Sequence, residues 1–256
     1  MRSTIRLCAA ATLGLALARV VVAQDEYVVS ADTPANVRRA VESDARSAEQ
    51  RARDVNRKPA EVLTLIGLDE GDRVVEFASF GHYYTTILAD AVGPSGHVYM
   101  VDMPWTDRFG GEAARAFDAA HDNATYTQVH YNEMTLPTDV DVATIVLFYH
   151  DLMREDPEET VDTADMNRRI YDALAPGGTY VVIDHHAEEG SGWREAMTLH
   201  RIDKQTVIDE VTAAGFELET DSDLLANPAD DRTLNMRDPQ IRGETDRFLL
   251  VFRKPQ

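Results

Sequence analysis

The sequence predicts an α/β chain: a doubly wound, mostly parallel sheet of seven strands with a helical cap in front of it. Three observations carry this. From Gly71 onward short apolar runs alternate with segments of helical periodicity, the pattern of strand–helix–strand crossovers. The last two strand-like runs, FELETDSDLL and RFLLVFRKP, have no crossover helix between them, so the final strand is expected to run antiparallel. The 256 residues are 44% hydrophobic and 27% charged, which excludes a disordered or collagen-like chain and leaves one large or two small domains with a real core.

In chain order, residues 1–23 read as an export leader. Arg2 and Arg6 precede the apolar run LCAAATLGLAL, and VVA ends at Ala23 before polar QDE, the charged, apolar and small-residue order of a secretory signal. Arg19 interrupts the apolar stretch, leaving fewer than the ~20 apolar residues a spanning helix needs. Cleavage after Ala23 removes Cys8, the only cysteine, so the mature chain holds no disulfide, thiol nucleophile or thiolate metal site. The expected location is the periplasm, with no membrane insertion after cleavage.

Residues 24–70 form the expected cap. Thr33-Pro34 is a helix start, and Val37, Val41, Ala45, Ala48, Ala52 and Val55 recur at spacings of three and four, a small-residue stripe for packing. Pro59 ends that helix and AEVLTLIGL begins a second. Residues 71–256 are the main domain. RVVEF is its first strand, followed by a helical face of Tyr84, Ile87, Leu88, Ala91 and Val92, then the strand HVYMVD. GEAARAFDAAH reads as a helix, ATYTQVHY and DVATIVLFYH as the third and fourth strands, and TYVVID as the fifth, after a Pro176-Gly177-Gly178 turn. Asp203 caps a further helix that Gly215 stops. Residues 227–246, rich in Asp, Arg and Pro, are too long for an idle connection and are expected to close over a functional rim.

The charge narrows the partners. Forty-five acidic residues against 25 basic ones give a formal net charge of −20, which repels phosphate backbones and anionic lipid surfaces. Nucleic acid is therefore excluded, and a small-molecule partner is expected. Only Lys58, Lys204 and Lys254 are lysines; adaptation to salt and a GC-rich genome both account for that bias.

The run DEGDRVVEFASFGHYYTTILADAVGPSGHVYMVD and the segment APGGTYVVIDH resemble the first-strand and fifth-strand regions of class I S-adenosylmethionine (SAM) dependent methyltransferases. YHDL, DHHAEEGSG, LHRID, AAGFEL and IRGETDRFLLVFRKP are similar to an exported family of predicted methyltransferases. The resemblance implies a Rossmann-like sheet with SAM as cofactor, across the switch point where ligands of open parallel sheets lie, and methyl transfer to a small molecule. It places Glu76, Ala78, Gly81 and Asp102 at the cofactor, with Asp102 accepting from the ribose hydroxyls. Where such proteins alternate glycines, this chain has Ala78, Phe80 and His82, with only Gly81 kept. A non-catalytic binding protein on the same scaffold, its pocket filled by Phe80, therefore stands as the alternative. Asn132 is a further candidate, for an adenine edge.

A second constellation lies at later strand ends. The fourth strand runs into His150-Asp151, the fifth into Asp184-His185-His186, and His200 follows a GSG turn. A neutral imidazole removes a proton and an adjacent carboxylate orients it, so His150, Asp151, Asp184, His185, His186 and His200 are the candidate catalytic set. Asp151, Asp184 and a histidine also have metal-ligand chemistry, although no metal is assigned.

Overall fold

The computed structural model describes residues 27–80 and 82–256. The expected leader and its cleavage point, like Gly81, lie outside the described residues. Strands β1 (Arg73–Phe77), β2 (His97–Asp102), β3 (Ala124–Gln128), β4 (Val140–Val146), β5 (Leu174–His185), β6 (Glu217–Ser222) and β7 (Arg247–Arg253) form one sheet in the order β3-β2-β1-β4-β5-β7-β6. β1 pairs in parallel with β2 and β4, β2 with β3, and β4 with β5. β7 runs antiparallel between β5 and β6. The order reverses between β1 and β4, which opens the crevice for a ligand beyond their carboxyl ends.

Alternation along the strands builds a core on each face of the sheet. Val75, Phe77, Ala143, Ile145 and Val182 join one core with Ile170 and Val207, from helices α6 (Thr163–Ala173) and α7 (Lys204–Ala213). Their neighbours Val74, Val142, Val181 and Ile183 join the other, with α1 (Ala35–Val41), α4 (Pro59–Ile66) and α5 (Tyr83–Val92). Ile87 of α5 has no exposed surface, and burying a side chain of that size contributes about 1.5–3 kcal/mol.

Three expectations need correction. The long first helix is broken into α1, α2 (Ala48–Arg51) and α3 (Asp54–Arg57). Arg46, fully buried, donates to the Val41 carbonyl and to both oxygens of Asp54, and folding inward to make those bonds interrupts the helix. Ser47 then restarts it through a capping box with Gln50. The fourth strand stops at Val146 because Leu147 takes φ 56, a left-handed conformation no strand continues; Tyr149–Leu152 is a short 3-10 turn. Pro176-Gly177-Gly178 lies inside β5, between the Leu174–Val140 and Thr179–Val142 pairings, not ahead of it.

Candidate functional site

Glu76 and Asp102 stand at the carboxyl ends of β1 and β2. Asp102 is 1% exposed, and both its oxygens are occupied: the Ser79 backbone N–H donates at 2.7 Å and the Ser79 hydroxyl at 3.2 Å. Burial pushes its carboxyl up to about 6, against those two bonds. Burial likewise pushes Glu76 up to about 8, so it is a neutral acid at pH 7, and its Oε2 has no hydrogen-bond partner. The Ala78 N–H donates to the Val101 carbonyl, which ties the loop to β2.

The loop holds this closed form at a cost. Ala78 has φ 58 and His82 φ 48, and a non-glycine residue in the left-handed region costs about 1–2 kcal/mol. Two bonds to a carboxylate return about 1.5–3 kcal/mol each, so strain and gain are of similar size. Phe80 follows Ser79 and packs edge-on against Phe148, ring centroids 5.5 Å apart, with Phe109 at 6.1 Å. Trp105 stacks on Phe148 at 5.6 Å, and the Arg154 guanidinium lies 4.2 Å from the Trp105 ring. Phe80, Phe148, Trp105 and Phe109 thus form an aromatic wall beside the loop.

The other side belongs to the histidines. Asp184, fully buried, accepts from the backbone N–H of His150 (2.8 Å) and of His185 (2.7 Å), and its Oδ1 is 2.7 Å from His150 Nδ1. In the neutral ring that contact places the proton on Nδ1 and leaves Nε2 with its lone pair; Nε2 has no partner and lies 3.6 Å from Asp151. Burial disfavours charge on His150, but Asp184 outweighs it and the imidazole is raised above its ordinary value. A carboxylate holding the far nitrogen of a buried imidazole is the arrangement of a general base.

His185 differs from it. Its Nδ1 shares a 2.7 Å bond with the Thr245 hydroxyl and its Nε2 is unpartnered. Burial, then the charge of His150 and nearby arginines, drives it well below its ordinary value, so it stays neutral. His200 Nδ1 donates to Asp151 at 3.1 Å, and its Nε2 accepts from Arg237 at 2.9 Å. Burial opposes the charge of Asp151, but His200 and His150 hold its carboxyl below the usual range. The 3-10 turn carrying His150 and Asp151 is anchored by Tyr149, whose hydroxyl is held by Asn167 and Glu210.

The structure brings together His150, Asp151, Asp184, His185 and His200, and leaves out His186. Successive side chains of an extended chain point to opposite sides, so His185 and His186 cannot both face the cluster. His186 lies 3.4 Å from Asp246 and packs on Phe248. The Asn132 amide links loops, accepting from the Asp162 N–H and donating to the Thr160 carbonyl. Residues 227–246 do cover this rim. The buried Arg201–Asp230 pair (2.9 Å) fixes the segment, and the Met236 N–H donates to Leu199. Ser79, Arg237 and Thr245 were not legible as site residues, because each acts through long-range contact and carries no motif.

Among the described residues His150, Asp151 and His200 each offer a ligand atom within 4.8 Å of the others, close enough for one cation. Arg237 and Arg154, 3.5 Å from Asp151, already serve two of the three.

No family model and no curated protein matches this sequence. Solved structures do. A SAM-dependent methyltransferase from Aquifex aeolicus is 17% identical over 76% of this chain and 88% of its own, with a TM-score of 0.53. An arsenic(III) S-adenosylmethionine methyltransferase from Chlamydomonas reinhardtii is 16% identical over 87% and 74%, TM-score 0.52. The cyclase SpnF is 18% identical over 84% and 85%, TM-score 0.55. What this chain shares with these proteins is a fold, the seven-stranded α/β fold of SAM-dependent methyltransferases.

Proposed function

We propose that the protein is a SAM-dependent methyltransferase acting on a small molecule, with its cofactor loop closed in the conformation described. The observation that carries this reading is Asp102. It receives an N–H and an O–H donor from one residue, which is the demand two neighbouring ribose hydroxyls would make. The donor chemistry at Asp102 and the unpartnered Glu76 Oε2 therefore suits the cofactor. For it to enter, Ser79 must leave Asp102 and Phe80 must leave the aromatic wall. Bound there, SAM supplies an electrophilic methyl group. His150 would take the proton of the acceptor's O–H or N–H at Nε2, with Asp184 as its positioning residue, and residues 227–246 would exclude water from the rim. Neighbours named as methyltransferases support the reading.

Export to the periplasm belongs to the same proposal and rests on the pattern of residues 1–23. No helix among the described residues is long and apolar enough to cross a membrane.

A second reading has its own observation. Phe80, a bulky side chain in the first-strand loop, packs on Phe148 and Phe109, and a fold does not fix a reaction, as the neighbour named a cyclase illustrates. On that reading the scaffold binds its small molecule without SAM. Calorimetric titration of the protein with SAM and S-adenosylhomocysteine separates the two: saturable binding of both, weakened in Asp102→Asn, supports the methyltransferase, and absence of binding in every form supports the scaffold.

A further inference from the structure

A cavity of about 400 Å³ opens over the carboxyl ends of β4 and β5, between α3 and the segment 227–246. Its polar lining is almost all of one sign. Arg53, Arg57, Arg237, Arg242, Arg247 and His185 line it, and no carboxylate does. This occurs on a chain whose net charge is −20, where a chance patch would be acidic.

The arginines are also unusual in their partners. Three buried or half-buried arginines elsewhere are matched to acids: Arg46 to Asp54 at 2.5 Å, Arg201 to Asp230 at 2.9 Å and Arg232 to Asp246 at 2.9 Å. Among the described residues none of the five around the cavity has such a match. Arg242 makes no side-chain hydrogen bond. Arg57 rests on the Tyr83 ring, 4.6 Å from its centroid. Arg53 and Arg247 donate only to backbone carbonyls, and Arg237 only to His200. Arg53, Arg237 and Arg242 are exposed at the mouth, whereas Arg247 is 8% exposed on the floor.

Guanidinia placed this close repel one another, and the repulsion is visible: burial and then the charge of Arg57 push Arg247 down to about 10. Asp246 and Asp54 offset that repulsion only in part, since both guanidinia are still held below their ordinary value, and burying like charges that are not fully matched is costly. His185 also lines the cavity, and its Nε2 is buried with no hydrogen-bond partner. Leu147 and Met236 supply an apolar wall, so the occupant has an organic body as well as charge.

We propose that this cavity is the binding site for a small organic molecule carrying at least two anionic groups, carboxylate or phosphate, held by forked guanidinium contacts. Only its identity as the methyl acceptor rests on the methyltransferase reading; the anion site stands without it. The mouth arginines select and draw in the anion, Arg57 and Arg247 receive it, and His185 hydrogen-bonds it as a neutral ring.

The test is calorimetric titration of the full protein, without SAM, using citrate and inorganic phosphate as probes, at low ionic strength and again with salt raised tenfold. The expected result is saturable binding of at least one probe, weaker at high salt, and weakened tenfold or more in Arg242→Gln and Arg53→Gln. Both side chains are exposed and lack acidic partners, so their unchanged thermal melts show that the fold is kept. Citrate binding alone identifies a polycarboxylate and phosphate binding alone a phosphorylated molecule. If neither probe binds at low salt, or both variants bind as the wild type does, the anion site is wrong. SAM titration of the same samples reports on the methyltransferase reading separately.

Discussion

Ser79 satisfies both oxygens of Asp102, one through its backbone N–H and one through its hydroxyl. The two Ser79 donors therefore compete with any diol for the same carboxylate. Ser79→Ala removes one bond to a charged group, roughly 1.5–3 kcal/mol of support for the closed loop, and is expected to tighten SAM binding by up to about ten- to a hundredfold. Asp102→Asn is expected to weaken it by a similar factor. Calorimetry on both variants checks the pair.

Asp184 should be visible in the titration of His150. The folded-state value of His150 is raised, so its contribution to stability is present below the unfolded value near ~6.5 and lost as pH rises through the folded one. In Asp184→Asn the His150 resonance is expected to titrate at lower pH by NMR, and the associated slope of stability against pH to vanish. An unchanged His150 titration would separate the two residues.

If methyl transfer is observed, His150→Gln is expected to lower turnover by roughly 10²–10⁴-fold with SAM affinity kept. His185→Gln should act mainly on acceptor KM, since His185 is held neutral. Equal losses of turnover in the two variants would contradict this division.

Glu76 makes the folded state sensitive to alkali. Its folded value is pushed up to about 8 from an ordinary 4.5. A raised acid is protonated in the native state while the unfolded state ionises, so stability falls as pH rises from the unfolded value to about 8. Glu76→Gln should remove that loss, stabilising the protein by on the order of a few kcal/mol above pH 8 and little below pH 4. Urea denaturation across pH measures it.

Arg201 and Asp230 have no exposed side-chain surface. Asp230→Ala leaves the guanidinium buried without a partner and is expected to cost about 3–5 kcal/mol. Faster proteolysis within residues 227–246 should accompany the loss.

Much of the sheet was legible because its strands are short apolar runs whose alternate residues feed two cores, as Val74 and Val75 do. The breaks were not, because they depend on single distant contacts: Arg46 reaching Asp54 is invisible in a stripe of alanines and valines. At the site, strand-end placement brings His150 and Asp184 into contact, while His186 lies against Asp246, on the other side of the chain from His185. The arginines of the cavity come from α3 and its flank, the segment 227–246 and the start of β7, so only folding assembles them, and the sequence shows them as scattered surface charge.

A SAM site closed by its own loop is tested most directly at Phe80. Calorimetric titration of wild type and Phe80→Gly with SAM is expected to show binding in both, tighter in the variant, because the glycine removes the ring that ties the loop to the aromatic wall. Equal affinity in the two proteins, or no binding in either, would contradict it.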